Sequence, residues 1–239
     1  MKAIDPDLLL RAYSIGVFPM ADSRAADDVY WVEPKKRGIM PLDGFRLSHS
    51  LAKTIRSERF TVTADHAFSQ VVSECAASTS DRPDTWINPA IEVAYADLHR
   101  RGHAHSIETW HDGRLVGGLY GVKLGGAFFG ESMFSRESNA SKVALAHLVA
   151  RLKAAKFTLL DCQFITDHLQ SLGAIEVSRD AYVALLDSAM GVAGGAVGAA
   201  AGWSPPDFFA LDGVTDPEMR TVSGPISGCT IVQLLGHTS

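Results

Sequence analysis

Residues 158–163, TLLDCQ, place a carboxylate and an amide two positions apart in a short stretch that predicts a β-strand. Side chains alternate between the two faces of a strand, so Asp161 and Gln163 are expected on one face and Cys162 on the other. A carboxylate beside an amide can orient a group that accepts a hydrogen bond from an attacking nucleophile. The same pair can also merely satisfy backbone groups at a strand end. Both interpretations are open at this point.

Glu131 is a second candidate, because it lies within an otherwise apolar predicted strand over residues 127–134. An unpaired carboxylate in such a place is costly. The residue therefore predicts either a buried salt bridge or a polar site.

Histidine and cysteine offer weaker signals. His103 and His105 share one face of a predicted strand and His99 lies nearby, but two histidines without a clear third ligand are poor evidence for zinc. A structural role is favoured, and no metal site is expected. Cys162 is not expected to be a nucleophile, because it is predicted on the strand face opposite Asp161 and Gln163.

Composition limits the classes of protein. The chain has 239 residues, of which 46% are apolar and 21% charged, which is ordinary for a globular protein. Its net charge of −5 argues against nonspecific coating of nucleic acid. Cys75, Cys162 and Cys229 are widely separated and form no C-x-x-C pair, which favours a reducing compartment. With no export leader and no membrane segment expected, we predict a cytoplasmic protein.

The first half of the chain is expected to be mainly helical. The pattern predicts a helix from 6 to 15, an irregular stretch from 18 to 41, a helix from about 48 to 55, a strand over 60–64, and helices over 65–76 and 89–101. Asp5, Asp65 and Asn88 are the expected N-caps of three of these helices.

The second half begins with alternating residues over 103–111 and 114–123, joined by Asp112-Gly113, a strong hairpin signal. After these, the pattern predicts a strand over 127–134, a long helix over 140–156 capped by Ser138 or Asn139, a strand over 158–163, a helix over 166–172, a short strand over 175–177 and a helix over 178–190. From Gly191 the chain is rich in Gly, Ala and Pro. We expect this tail to be flexible or to lie on the surface, with a short strand over 230–235.

This order of elements predicts an α+β fold with a mixed, mostly antiparallel sheet. It is typical of a GNAT-like acyltransferase domain. Fold alone does not establish function.

Eight segments carry a more specific resemblance. They are LLLRAYSIGVFPM, TWI, RRGHAHSIE, LVGGLYGV, GESMFSR, NASKVAL, LLDCQ and DHLQSLGA, and they extend in this order from Leu8 to Ala174. With them, the sequence resembles the leucyl/phenylalanyl-tRNA–protein transferases. The resemblance implies a small N-terminal domain (1–45), a GNAT-like catalytic domain (46–190) and a C-terminal tail (191–239).

The resemblance also implies an activity. The protein would be a leucyltransferase that moves Leu or Phe, with Met as a further candidate, from charged tRNA to the N-terminal Arg or Lys of an acceptor protein. The product would be marked for degradation by the N-degron pathway. The expected partners are the tRNA 3′ end and the acceptor, without a membrane and without a cofactor beyond the tRNA-borne amino acid. A monomer is expected.

Roles for individual residues follow from the same resemblance. Asp161 would orient Gln163, whose carbonyl accepts a hydrogen bond from the attacking amine, and the proton would leave through this pair or a bound water. Glu131 would contact the ester's amine or the first residue of the acceptor.

The resemblance also implies that the donor occupies an apolar slot shaped by Leu119, Leu145 and Leu148. Judged only by periodicity, these three leucines are ordinary core residues. Such a slot discriminates one methylene by only ~1–3 kcal/mol, so methionine can also fit. Trp86 and Trp31 are the candidates for stacking on the terminal adenosine. For Trp86, simple packing is the alternative.

Two positions depart from the family pattern. Val32 occupies the place of a second tryptophan, and Thr166 stands where relatives often carry Asn. The stacking arrangement, one polar contact and the acceptor range are therefore open. Six basic side chains, called the basic set, are candidates for contacts with the phosphates of the tRNA acceptor stem, and the alternative is that they form a solvated charged face. They are Lys35, Lys36, Arg37, Lys53, Arg56 and Arg59.

Other functional classes remain as alternatives. An acetyl-CoA-dependent acetyltransferase needs a glycine-rich turn before the long helix to cradle pyrophosphate, but this chain has FSRESNAS there. A metalloenzyme and an RNA-binding module without catalysis are two further possibilities. Extension of an Arg-starting peptide from charged tRNA separates a transferase from the binding module.

Overall fold

The structure is a computed structural model and describes residues 3–78, 84–191, 204–213 and 226–236. Its helices in these ranges are α1 (Pro6–Ser14), α2 (His49–Arg56), α3 (Phe68–Ala76), α4 (Pro89–Arg100), α5 (Ala140–Ala154), α6 (Asp167–Ser171), α7 (Arg179–Ala189) and α8 (Gly228–Leu234). Its strands are β1 (Phe18–Met20), β2 (Tyr30–Val32), β3 (Lys36–Ile39), β4 (Thr61–Ala64), β5 (Ala104–His111), β6 (Arg114–Leu124), β7 (Ala127–Ser135), β8 (Leu159–Gln163) and β9 (Ile175–Ser178).

Seven of the described strands form one sheet in the order β4-β5-β6-β7-β8-β3-β9. Every neighbouring pair is antiparallel except β7 and β8, which run parallel and are joined by α5. A parallel pair needs such a crossover connection. The β5–β6 hairpin turns at Asp112 and Gly113, both with positive φ, as predicted. The α+β class with a mostly antiparallel sheet is confirmed.

Helix caps were predicted with mixed success. The side chains of Asp5 and Asn88 accept the expected backbone hydrogen bonds at α1 and α4. The cap predicted at Asp65 is wrong, because α3 begins only at Phe68. Asp65 instead adopts a left-handed φ of 60° and accepts a hydrogen bond from the backbone of Ser106.

The stretch predicted to be irregular, residues 18–41, contains three short strands. β1 and β2 form a separate two-stranded ribbon in which Pro19 faces Trp31, and β3 inserts between β8 and β9. Strands of three or four residues show too little alternation to be recognised, and Pro19 and Gly38 lie inside them. Their pairing depends on distant parts of the chain.

Two apolar clusters form the core, and β7 contributes to both. Phe128 packs in the cluster that contains Leu148 of α5, whereas Phe129 packs with Tyr13 and Tyr95. Consecutive strand residues point to opposite faces, so Glu131, two residues after Phe129, lies on the side of the tyrosines.

α5 is buried along almost its whole length. Asn139 occupies the predicted capping position with a φ of 71°, but its side chain makes no capping hydrogen bond. The helix starts directly against the sheet, since a Cβ added at Gly117 of β6 would lie 2.6 Å from that of Ala140. Close approach without a side chain is thus required at Gly117.

Two described segments of the tail pack against the same core. Phe208 is fully buried and stacks on the ring of His105 at 4.2 Å. The strand predicted over 230–235 is wrong, because residues Gly228–Leu234 form α8 with Ile231 and Val232 buried. A short apolar run does not distinguish a strand from a buried helix. The remainder of the predicted tail lies outside the described residues. In the described ranges, no helix has the length and hydropathy needed to cross a membrane.

Candidate active site

A cavity of about 280 Å³ opens where the pairing of β7 with β8 stops. The last paired residues are Phe129 and Asp161. Glu131 and Gln163, two positions further along the two strands, both line the cavity. The divergence of the strands therefore creates the space, and two of the polar side chains singled out in the sequence line it.

Much of the cavity wall is apolar. Leu119 of β6 and Leu145 and Leu148 of α5 are buried and line the cavity together. Leu145 and Leu148 are three residues apart and share one face of the helix. Met133 and Leu169 extend the same wall. The arrangement suits an unbranched or branched apolar side chain.

Glu131 is almost completely buried and is held by two tyrosine hydroxyls. Its Oε1 lies 2.7 Å from the hydroxyl of Tyr13, and its Oε2 lies 2.9 Å from that of Tyr95. The two hydroxyls lie 2.6 Å apart. Burial raises the pKa of Glu131 to about 7, although the hydroxyls of Tyr13 and Tyr95 and the nearby Gln163 amide lower it. Within the described ranges its carboxylate is held by hydroxyls and makes no salt bridge.

Asp161 is buried away from the cavity. Its carboxylate accepts hydrogen bonds from Arg37 Nε at 2.9 Å and Nη2 at 2.6 Å, and from the Tyr182 hydroxyl at 2.8 Å. It also accepts one from the backbone N–H of Gln163 at 2.7 Å. This carboxylate is thus fully engaged, and it is absent from the described cavity wall.

Gln163 ends β8 in a left-handed conformation with φ of 61°. Gln163 and Cys162 line the cavity, whereas Asp161 does not. The expectation that Asp161 and Gln163 share one strand face stays a prediction. A positive φ is strained for a residue other than glycine, and the Asp161 hydrogen bond to the backbone of Gln163 holds it.

The side-chain amide of Gln163 has no hydrogen-bond partner for its nitrogen among the described residues. Its Nε2 atom is buried and has no partner of good hydrogen-bonding geometry among the described residues, although the amide approaches Glu131 closely enough to lower that carboxyl's pKa. A buried amide without a partner is costly and is typical of a group reserved for a ligand.

Cys162 lines the cavity but is unsuited to nucleophilic catalysis. Burial, and secondarily the charge of Asp161, raise the pKa of its thiol far above the ordinary value. The thiol stays protonated, and the thiolate is the nucleophilic form.

Of the two predicted adenosine platforms, Trp86 lines the described cavity and Trp31 does not. Trp31 lies in β2 and is 40% exposed. Thr166 also lines the cavity, and its hydroxyl caps α6 by accepting from the backbone of Leu169.

Two of the histidines and three members of the basic set have other partners. His105 Nδ1 lies 2.6 Å from Asp65, and His99 Nδ1 lies 2.8 Å from a backbone oxygen. The described residues contain no group of three or more metal-binding side chains. The assignment of Arg37 to tRNA phosphates is wrong, since this side chain is 1% exposed and bonded to Asp161. Lys36 and Arg59 belong to surface ion pairs.

Sequence reasoning missed Tyr13, Tyr95, Arg37 and Tyr182. The two tyrosines that hold Glu131 lie on buried faces of α1 and α4, where they look like ordinary core residues. One available signal was the phenolic hydroxyl, because a buried tyrosine normally needs a polar partner. Arg37 gave no signal that separated it from its neighbouring lysines.

Comparison with known proteins gives a consistent result. A family model described as "Leucyl/phenylalanyl-tRNA protein transferase" matches residues 39–187, and the model of that family's N-terminal domain matches residues 2–35. A protein of Rhizorhabdus wittichii is 84% identical, with 100% of both chains covered. Proteins of Zymomonas mobilis and Afipia carboxidovorans are 69% and 54% identical, over 78% and 92% of this chain and 70% and 90% of their own lengths. All three are named "Leucyl/phenylalanyl-tRNA--protein transferase".

Proposed function

The chain belongs to the leucyl/phenylalanyl-tRNA protein transferase family, and we propose that the cavity beside Glu131 and Gln163 is where it performs its reaction. It is an aminoacyltransferase that moves Leu or Phe from aminoacyl-tRNA to the N-terminal Arg or Lys of a protein. One observation supports the location above all: an apolar wall and two polar side chains share one cavity.

The donor side chain lies against Leu119, Leu145 and Leu148 in this proposal. That position leaves the ester carbonyl at the rim, beside Gln163. Size and apolarity select the donor, so leucine, phenylalanine and methionine are all candidates. Trp86 at the cavity supports the terminal adenosine by stacking, which contributes ~1–3 kcal/mol. Trp31 lies outside the described wall and would contact a more distant part of the substrate.

The chemistry is aminolysis of an activated ester. An α-amino group has a pKa near 8, so about a tenth of it is neutral at pH 7, and positioning is the main requirement. The carbonyl of Gln163 accepts a hydrogen bond from the attacking amine. Asp161 is a positioning residue, because it reaches the Gln163 backbone but not the cavity.

Arg37 and Tyr182 complete this support. They hold the carboxylate that fixes the backbone of Gln163 in its left-handed conformation. Burial alone lowers the pKa of Arg37, but its hydrogen bonds to Asp161 raise it overall, so the guanidinium remains charged. The buried ion pair thus orients the amide without taking part in proton transfer.

We further propose a GNAT-like catalytic domain over residues 46–190, between a small N-terminal domain (1–45) and a C-terminal tail (191–239). The support is the parallel pair β7 and β8, the one such pair in the described sheet, which is joined by the long α5 and diverges at the cavity. We place the reaction in the cytoplasm, where charged tRNA is used, and we assign its products to the N-degron pathway.

Peptide extension from individually charged tRNAs tests this function. Leu-tRNA and Phe-tRNA should each extend a peptide that begins with Arg, whereas the same peptide with an acetylated N-terminus should remain unchanged because it has no nucleophile. Binding of charged tRNA without any extension would instead support an RNA-binding module.

A further inference from the structure

We propose that Glu131 accepts the proton released by the attacking amine and that Tyr13 and Tyr95 hold it in position for this transfer. The proposal rests on the aminoacyl transfer described above and adds the identity of the proton acceptor. Three observations support it: the location of Glu131, the engagement of the Asp161 carboxylate, and the number of protons in the tyrosine cluster.

Glu131 and Asp161 differ in their position relative to the cavity. Glu131 lines the cavity beside Gln163, within reach of the rim where the ester and amine meet. Asp161 does not line it, and its oxygens are taken by Arg37, Tyr182 and the backbone of Gln163. Protonation of Asp161 would leave the buried guanidinium of Arg37 without its counter-charge. Asp161 is therefore a poor proton acceptor.

The number of protons in the tyrosine cluster points to the same residue. Three short contacts join the hydroxyl of Tyr13, the hydroxyl of Tyr95 and the carboxylate of Glu131, at 2.6, 2.7 and 2.9 Å. Each hydroxyl supplies one proton, so an ionised Glu131 leaves one of the three contacts without a hydrogen. A protonated Glu131 supplies the missing proton. All three contacts can then be hydrogen bonds.

The protonation states of the groups around Glu131 agree with its role as proton acceptor. The groups that face Glu131 are Tyr13 of α1, Tyr95 of α4, Asp161 of β8, Arg37 of β3 and Tyr182 of α7. Burial raises the pKa of Tyr13 and Tyr95 well above the ordinary tyrosine value, so both phenols keep their protons. Burial also raises the pKa of Glu131 to about 7, a value suited to a proton acceptor at neutral pH.

The step balances as follows. The neutral amine attacks the ester carbonyl carbon, a C–N bond forms, and an N–H proton passes to the carboxylate of Glu131. Collapse of the tetrahedral intermediate breaks the C–O bond to the ribose of the tRNA. Glu131 then returns the proton to the departing ribose oxygen. The products are an amide and a free hydroxyl, and Glu131 is again ionised.

Single-turnover peptide extension with Leu-tRNA, measured from pH 5.5 to 9, tests the assignment in wild type, Glu131→Gln, Tyr13→Phe, Tyr95→Phe and Glu108→Gln. The last variant is the matched control. Glu108 is also a fully buried glutamate whose pKa is raised by burial, and it accepts hydrogen bonds from Ser106 and Thr63 away from the cavity. The Glu108→Gln variant shows how much the rate changes when a buried carboxylate outside the cavity is neutralised.

The rate of the wild type should rise with pH in two steps. The lower limb of the pH profile reports loss of the proton from Glu131, and the amine limb, at a pH of about 8, reports loss of a proton from the acceptor amine. Glu131→Gln should lower the maximal rate by about 10²–10⁴-fold and remove the lower limb. Each Tyr→Phe variant removes a hydroxyl that contacts the carboxylate of Glu131, so the lower limb should move along the pH axis while the amine limb stays fixed. Glu108→Gln should keep the wild-type profile.

Other outcomes would overturn the assignment. If Glu131→Gln raises only the KM for the Arg peptide, with the maximal rate and pH profile unchanged, then Glu131 binds the acceptor and does not take its proton. Lower limbs that stay in place in both Tyr→Phe variants would contradict it equally. A wild-type protein that does not extend the peptide at all would instead refute the aminoacyl transfer on which the assignment rests.

Discussion

At the scale of single residues, Gln163 depends on a carboxylate that does not reach the cavity. Asp161 accepts the backbone N–H of Gln163 and is itself held by Arg37 and Tyr182. The sequence singled out Asp161 and Gln163, and their catalytic role stays a prediction. It gave no sign of the positive φ at Gln163, because no propensity rule predicts that conformation for glutamine.

Asp161→Ala is expected to act mainly on stability. The substitution leaves Arg37 buried without its counter-charge, which typically costs ~3–5 kcal/mol. Urea unfolding followed by circular dichroism measures this loss. Glu176→Ala is the matched control, because it breaks the exposed ion pair with Lys36 and should cost at most about 1 kcal/mol. Equal unfolding midpoints for the two variants would show that the buried Arg37–Asp161 pair does not stabilise the fold.

At the scale of elements, long segments were predictable and short ones were not. α4, α5 and the β5–β6 hairpin follow from caps, apolar runs and the Asp112-Gly113 turn. β1, β2 and β3 are each three or four residues long, so their pairing is decided by distant strands. The helical form of α8 likewise depends on packing against α2 and α5.

α5 carries the wall that should select the donor. Leu148→Ala enlarges the cavity, so the ratio of kcat/KM for Phe-tRNA over Leu-tRNA should rise by about tenfold, corresponding to ~1–3 kcal/mol of discrimination. Competition between the two charged tRNAs in peptide extension measures the ratio.

Leu152→Ala provides the control on the same helix. Leu152 is fully buried in the core but is absent from the described cavity wall. This variant should lose stability without changing the donor ratio. A shifted ratio in Leu152→Ala, or an unshifted one in Leu148→Ala, would show that the leucine wall does not select the donor.

At the scale of the whole molecule, the motifs from Leu8 to Ala174 were sufficient to identify the family, which the family models and relatives confirm. The packing of the tail was not predictable. Its described part inserts Phe208 against His105 and ties Asp212 to Arg151 of α5 at 2.5 Å. Composition after Gly191 suggests a flexible segment, since its anchoring residues are few and isolated among Gly, Ala and Pro.

Phe208→Ala tests whether this part of the tail stabilises the fold. The side chain is fully buried, and truncation of a buried phenylalanine typically costs ~3–5 kcal/mol. Chemical denaturation should show this loss, and Phe209→Ala, at a partly exposed position, should lose less. If Phe208→Ala unfolds at the same urea concentration as the wild type, the segment does not belong to the cooperative fold.

The most direct test of the central claim is the single-turnover rate of peptide extension by Gln163→Ala, with the affinity for Leu-tRNA measured in parallel. In the proposed site the apolar wall of the cavity holds the donor, whereas Gln163 acts on the attacking amine. The rate should therefore fall by about 10²-fold or more while the affinity for Leu-tRNA changes little. An unchanged rate, or a loss that appears only in tRNA affinity, would contradict a reaction centred on this cavity.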